Sequence, residues 1–303
     1  MLKMRFFRFF RYLTPITLRE IFERTGRQRL PGLASEMAYN AMLALFPGIL
    51  ALLTAIGLVG VSQDTFQDLA SQMSLIAPQD ALTLIQNFIG EIGSQRNQGL
   101  FSVSFIVSLW AASGVLSAAM VALDQIHQVP PHKLRPFWKA KLVSLGLTIG
   151  TMQLLIFASV LVFISDFIVQ VVAQQSGFLQ PGVLALWRLF TWPLALGIIA
   201  LACAFIYRYG PSRWTVGTPI LPGAIVAAVF WAMLSGLFRF YVSHFGSYNR
   251  AYGAVGAAIV LLLWLYLSSL MMLMGAQLNV TVGEAMQRQR RQKNHSKLKS
   301  DTF

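Results

Sequence analysis

From Gly253 to Ala276 the chain runs for 24 residues, GAVGAAIVLLLWLYLSSLMMLMGA, without one charged side chain. An α-helix needs about 20 such residues to cross about 30 Å of hydrocarbon, so the run predicts a membrane span rather than the buried helix of a soluble core. A polar turn, Ser247-Tyr248-Asn249-Arg250, precedes it, and Gln277 and Asn279 follow it, which places polar groups at both membrane surfaces. The rest of the chain has the same character: 56% of its 303 residues are hydrophobic and 12% are charged, against about 25% charged in soluble domains. The lone cysteine, Cys203, sits in an apolar run, which excludes an intramolecular disulfide and a zinc-type thiol pair.

Five more apolar stretches join the first, at residues 33–61, 100–123, 142–172, 183–207 and 219–242, with the opening run as the sixth at 253–280. The fold class predicted is an all-α membrane protein of six transmembrane helices, filling residues 33–280. Residues 1–32 form a basic, aromatic segment in which Arg5, Arg8 and Arg11 alternate with phenylalanines. That mixture suits a segment lying on an anionic leaflet. Residues 62–98 are too polar to cross and carry apolar residues at helical spacing after Pro78, so amphipathic helices are expected in this connection. Residues 281–303 form a basic tail, expected to be disordered beyond Arg291. Pro47-Gly48 near the middle of the first span predicts a kinked or broken helix, since proline removes a backbone donor.

The charges orient the spans. Of the 24 Lys and Arg residues, all but Arg96, Arg188, Arg239 and Arg250 fall in the two termini and in the connections 124–141 and 208–218. By the positive-inside rule both termini are cytoplasmic, and 62–98, 173–182 and 243–252 face outward. The net charge of +13 is thereby a topological signal, and nucleic acid is not expected as a partner.

Several separated motifs then carry a likeness. They are Ala34-Ser35-Glu36-Met37-Ala38-Tyr39-Asn40 with Phe46-Pro47, Asp124-Gln125-Ile126, Tyr207-Arg208-Tyr209-Gly210-Pro211, and a long final set. That set runs from Pro222-Gly223-Ala224 through Phe245-Gly246-Ser247-Tyr248, Ala251-Tyr252-Gly253 and Trp264-Leu265-Tyr266 to Gly275-Ala276-Gln277-Leu278. In these, over about residues 30–282, the chain resembles the YihY / virulence factor BrkB family of bacterial inner-membrane proteins. Gln277 stands where the family often has an acidic residue. The resemblance implies a six-span fold, no established general activity, and, for some members, lipid or lipopolysaccharide handling in the envelope.

An older family label, ribonuclease BN, finds no support in the residues. A metal-dependent nuclease needs clustered ligands to activate water, and His127, His132, His244 and His295 are scattered, with no paired spacing. No catalytic residue, metal site or cofactor is expected, and no phosphate-binding glycine loop appears.

Polar residues near the membrane are the better clue, because they are costly there unless paired or functional. Glu36, Tyr39 and Asn40, at i, i+3 and i+4, share a helix face expected to look into the bundle. Together with Asp124, Gln125, Arg208 and Gln277 they form one candidate site, for which structural ion pairs of Glu36 or Asp124 with Arg208, Lys139 or Lys141 are the alternative. At the outer face, Arg239, Tyr241, His244, Tyr248, Asn249, Arg250 and Tyr252 place cations and hydroxyls at phosphate depth, a candidate lipid headgroup site. The functional expectation is envelope-lipid handling, as a phospholipid or lipid A related transporter or flippase or its partner, with membrane lipids as partners. A scaffold that holds an envelope protein through 62–98, and a small-solute or ion transporter, are the alternatives.

Overall fold

The computed structural model describes residue 12 and residues 14–59, 98–175, 180–213, 218–245 and 249–300. Among the described residues there are seven α-helices and no strand: α1 (Pro15–Arg27), α2 (Leu30–Val59), α3 (Gln98–Ile126), α4 (Phe137–Gln175), α5 (Gln180–Tyr209), α6 (Leu221–Phe245) and α7 (Asn249–Ser300). The amphipathic helices expected in 62–98 fall outside the described residues. Four stretches are long and apolar enough to cross a membrane, Phe105–Ile126, Phe137–Phe157, Leu221–Tyr241 and Ala258–Gln289, and Pro193–Tyr209 is a shorter apolar helix.

The chain divides into two compact units, Asn40–Gly114 and the remainder, Met1–Tyr39 with Val115–Phe303. In the smaller unit the Asn40 side chain lies against Gly114, where a Cβ would come 2.7 Å from its Oδ1. In the larger unit α4 packs on α5, α5 on α6, α6 on α7, and α1 against α7.

The distribution of side chains in the larger unit runs opposite to that of a water-soluble protein. Phe157 on α4, Val121 on α3 and Met233, Leu237 and Phe240 on α6 are exposed, whereas Ser144, Thr148, Gln277, Asn279 and Thr281 are buried. Apolar groups outside and hydrogen-bonded polar groups inside are what a hydrocarbon surrounding demands.

Pro47 does not break α2. It lies within one continuous helix, Leu30–Val59, and α5 likewise runs through Pro193. Of the two outcomes expected at Pro47-Gly48, a kink or a break, the break does not occur. Ending a helix inside an apolar layer leaves more backbone groups unsatisfied than continuing it past a proline. The basic tail also differs from expectation, since α7 continues to Ser300. No glycine or proline interrupts the chain after Gly283, and α1 packs along this extension.

Two glycines set the α6–α7 distance. A Cβ on Gly275 would fall 2.5 Å from the Gly223 carbonyl oxygen and 2.6 Å from the Tyr207 hydroxyl, and a Cβ on Gly223 would strike the Gly275 carbonyl. Above this contact Trp231 and Trp264 meet at 6.2 Å between ring centroids, and Trp264 Nε1 donates to Ser235 Oγ at 3.3 Å. Tyr266 packs on the main core, which gathers Leu30, Leu123, Ile126, Tyr207 and Leu273. Gly275→Ala is expected to lower stability by about 1–3 kcal/mol, because two backbones must separate. Gly236→Ala, with nothing within 4 Å of the added methyl, is expected to be neutral or to stabilise by up to about 1 kcal/mol. Thermal unfolding in a mild detergent measures both.

Candidate functional site

The described ends of α3 and α5 converge on one turn. After Tyr209, Gly210 closes the helix with its N–H on Ile206 O at 2.8 Å, and a Cβ there would meet both Ile206 O and Leu123 at 2.6 Å, so this position requires glycine. The carbonyls that α5 leaves without helical partners are taken by one guanidinium from a distant loop. Arg135 Nη1 donates to Gly210 O at 2.6 Å, and Nη2 donates to Tyr209 O at 3.1 Å and to Pro211 O at 2.7 Å. Its cation also sits at the negative end of the helix, which adds to the hydrogen bonds.

Asp124 closes the same turn from the other side. Its Oδ1 accepts from Ser212 N at 2.5 Å and its Oδ2 from Ser212 Oγ at 2.6 Å. Its carboxylate is therefore engaged by a turn rather than left to seek a lysine. Behind it, α3 ends with Gln128 N–H on Gln125 O and Val129 N–H on Asp124 O, and Gln128 takes φ 51° where glycine is the usual residue.

These elements enclose a cleft of about 720 Å³. Its polar lining includes Asp124, Gln125, Arg135, Lys141 and Ser212, and its apolar lining includes Met120, Val121, Val129, Leu134 and Phe137. Phe137, 70% exposed, lines it at the start of α4, with its ring set edge to face at 5.5 Å on that of Trp138, 72% exposed. Aromatic residues at the end of an apolar helix mark the depth of lipid headgroups. A concave site with mostly apolar walls and a few polar groups of both signs suits an amphiphile.

The other residues singled out in the sequence lie elsewhere. Glu36 is exposed and Tyr39 is 60% exposed on α2, whereas Asn40 is half-buried, with its side chain against Gly114. Arg208 is exposed on the last turn of α5, while Gln277 is fully buried on α7, where Nε2 donates to Thr281 Oγ1 at 3.1 Å. Of that candidate set the structure brings Asp124 and Gln125 together in the cleft. At the outer-face candidate, Arg239 and Tyr241 are exposed on α6, Tyr241 with its ring 6.5 Å from that of Phe238. His244 is in the last turn of α6, and Asn249, Arg250 and Tyr252 are in the first turns of α7, with Tyr248 outside the described residues.

Two residues that matter here carry no motif. Arg135 acts across 75 positions on Gly210, and Asn279 acts across 56 on α6. Asn279 Oδ1 accepts from Gly223 N and Nδ2 donates to Ile220 O, both at 2.8 Å, serving donor and acceptor at the start of α6. An amide deep in an apolar stretch is the one signal that could have pointed to Asn279.

Two groups have displaced titrations, His127 after the end of α3 and Arg24 on α1. Burial pushes the His127 imidazole below the ordinary histidine range, against the Leu123 carbonyl bond and the charges of Asp124 and Glu284, so the folded chain favours the neutral ring. Arg24 on α1 is held protonated more firmly than a free arginine, chiefly by its hydrogen bond to Glu284.

Arg135→Lys is expected to lose two of the three carbonyl bonds, because an ammonium is a point donor without the planar fork. Stability should fall by about 1–3 kcal/mol, and limited proteolysis should cut more rapidly around residues 209–213 than in the parent.

The comparisons with known proteins fit this architecture. The family model Virulence factor BrkB matches residues 21–300. The chain is 29% identical over 262 residues to the "Putative ribonuclease-like protein YfkH" of Bacillus subtilis, covering 86% of this chain and 93% of that one. It is 25% identical over 286 residues to a "UPF0761 membrane protein" of Tolumonas auensis, covering 87% and 84%, and 28% identical over 287 residues to one of Alteromonas mediterranea, covering 89% and 90%. No solved structure matches the chain. With its apolar helices and a family match over nearly its whole length, the chain is an integral membrane protein that belongs to the Virulence factor BrkB family.

Proposed function

We propose that this chain is a six-span protein of the bacterial inner membrane, with both termini cytoplasmic, that handles envelope phospholipids by moving them between leaflets or passing them to a partner, without catalysing a covalent reaction. The observation that carries the reading is the cleft of about 720 Å³ lined by Phe137. Its walls are apolar enough for acyl chains, while Asp124, Arg135 and Lys141 supply both charges of a zwitterionic headgroup. Helices α2 to α7 overlap the six apolar stretches, four of them with segments long and apolar enough to cross, and the distribution of Lys and Arg supports the orientation. Near the amino end, α1 would lie at the cytoplasmic surface with Leu18 and Phe22, exposed at i and i+4, turned to the acyl layer.

The Bacillus relative's printed name is "ribonuclease-like". Among the described residues no three His, Cys, Asp or Glu side chains gather as a metal site would require. The lipid reading rests on what the cleft is made of, mostly apolar walls with Asp124, Arg135 and Lys141 among them.

Reconstitution into liposomes with fluorescent phospholipids tests the proposal. The parent protein should accelerate exchange of label between leaflets. Val121→Trp and Leu134→Trp, which fill the cleft from two exposed wall positions, should reduce that rate by about tenfold, equivalent to about 1.4 kcal/mol of barrier. Phe230→Trp, on the exposed face of α6, should leave it unchanged. No acceleration for any headgroup, or equal rates in cleft-filled variants, would discard lipid movement through the cleft and favour the scaffold.

A further inference from the structure

A second cavity, of about 610 Å³, opens between α1 and the charged extension of α7. Its wall carries four arginines, Arg19, Arg24, Arg27 and Arg288, against two carboxylates, Glu20 and Glu23. Those carboxylates are already matched. Arg19 Nε meets Glu23 Oε1 at 3.0 Å, Arg27 Nη2 meets Glu23 Oε2 at 3.4 Å, and Arg24 Nη2 meets Glu20 Oε1 at 2.7 Å. Even with Glu284, which Arg24 Nη2 reaches at 2.8 Å and Arg288 at 3.5 Å, the group retains more positive than negative charge.

The central guanidinium is also incompletely used. Both ion pairs of Arg24 run through Nη2, while its Nη1 is buried with no protein acceptor. On the same cavity wall the Gln28 amide oxygen is buried with no protein donor. One buried donor and one buried acceptor left over in a net-positive cavity are complementary to a group that offers both. Leaving either unmatched costs about 1–3 kcal/mol. A phosphate monoester offers several acceptor oxygens and, with its second pKa near 6, a P–OH donor for part of the time at neutral pH. A carboxylate offers no donor, and its charge is smaller.

We propose that the cavity between α1 and α7 is a binding site for a phosphate-bearing anion, held by Arg24 at its centre and by Arg19, Arg27 and Arg288 at its rim. Arginine suits this duty because its planar fork matches phosphate oxygens in pairs. The rim arginines are exposed, at 83%, 78% and 64% for Arg19, Arg27 and Arg288, so they can turn onto a ligand without leaving a buried charge behind. The phosphate belongs either to a lipid headgroup reaching up from the membrane surface or to a soluble compound. The inference does not depend on the lipid-handling proposal, since a soluble phosphate compound would satisfy it. It bears on that proposal in one respect, because Gln128 lines both cavities.

Two measurements on the full chain test the site and separate the sources. In neutral detergent, calorimetric titration with inorganic pyrophosphate reads the soluble source. Native mass spectrometry after exposure to phosphatidylcholine vesicles containing phosphatidylglycerol or phosphatidic acid reads the lipid source. The variant Arg19→Gln with Arg27→Gln removes two rim cations at exposed positions, and Lys133→Gln, an exposed cation outside this cavity, serves as control. The site is supported if either probe binds saturably, with affinity reduced by about tenfold in the double variant, weakened by added salt and unchanged in Lys133→Gln. Pyrophosphate binding identifies a soluble phosphate, and retention of anionic lipid alone identifies a headgroup. If neither probe binds, or if the double variant binds as the parent does, the proposal is overturned. An unfolding midpoint for the double variant equal to that of the parent establishes that a loss of binding is not a loss of fold.

Discussion

A helix that ends where water is scarce must find partners for its last carbonyls and first N–H groups, and this requirement organises the larger unit. The end of α5 is closed by Arg135 from the loop before α4, and the turn beyond it by Asp124 from α3. The start of α6 is closed by Asn279 from α7, and the Tyr207 hydroxyl of α5 donates to the Met272 carbonyl of α7 at 2.5 Å. Each of these bonds joins elements far apart in the chain. Together they hold the helix ends in register where hydrophobic attraction between helices is weak. The Gly223–Gly275 contact follows from the same arrangement: Asn279 can reach the first turn of α6 only if the two backbones approach closely.

The cleft is a by-product of those closures. Arg135 and Asp124 are held in place by the carbonyls and the serine they satisfy, so they present charge at a fixed position beside apolar walls from α3, the following loop and α4. Gln128, in the left-handed region at the end of α3, forms a wall common to the cleft and to the arginine-lined cavity under α1. A side chain there costs more backbone energy than glycine would, and this glutamine sits where both cavities need a polar wall.

What could be read from the sequence, and what could not, divides along physical lines. The helix positions were legible because an uncharged run of 20 or more residues has few alternatives, and the motifs that suggested the family are confirmed by the match over residues 21–300. At Pro47 the expectation was a kink or a break, and the helix is not broken, because ending it in an apolar layer would leave more backbone groups unsatisfied. The tail was expected to lose order beyond Arg291, whereas α7 runs on to Ser300; the contacts of α1 with α7, Ile21 on Leu278 and Val282 and Arg24 on Glu284, lie before that point. Asp124 could be flagged as a carboxylate near a membrane surface. Its partner could not, because Ser212 is 88 residues away and nothing local marks it. Arg135 read as one of several basic loop residues, since charge alone does not distinguish a topological signal from a helix cap.

The central claim is that the cleft beside Asp124 and Arg135 receives a phospholipid. The most direct measurement is crosslinking in native membranes with a phospholipid carrying a photoreactive group near its headgroup, followed by mapping of the modified peptides. The account predicts that label concentrates in residues 117–141 and is lost when Trp replaces Val121. Label spread along the exposed faces of α4 and α6, with none in 117–141 or with no change on filling the cleft, would contradict it.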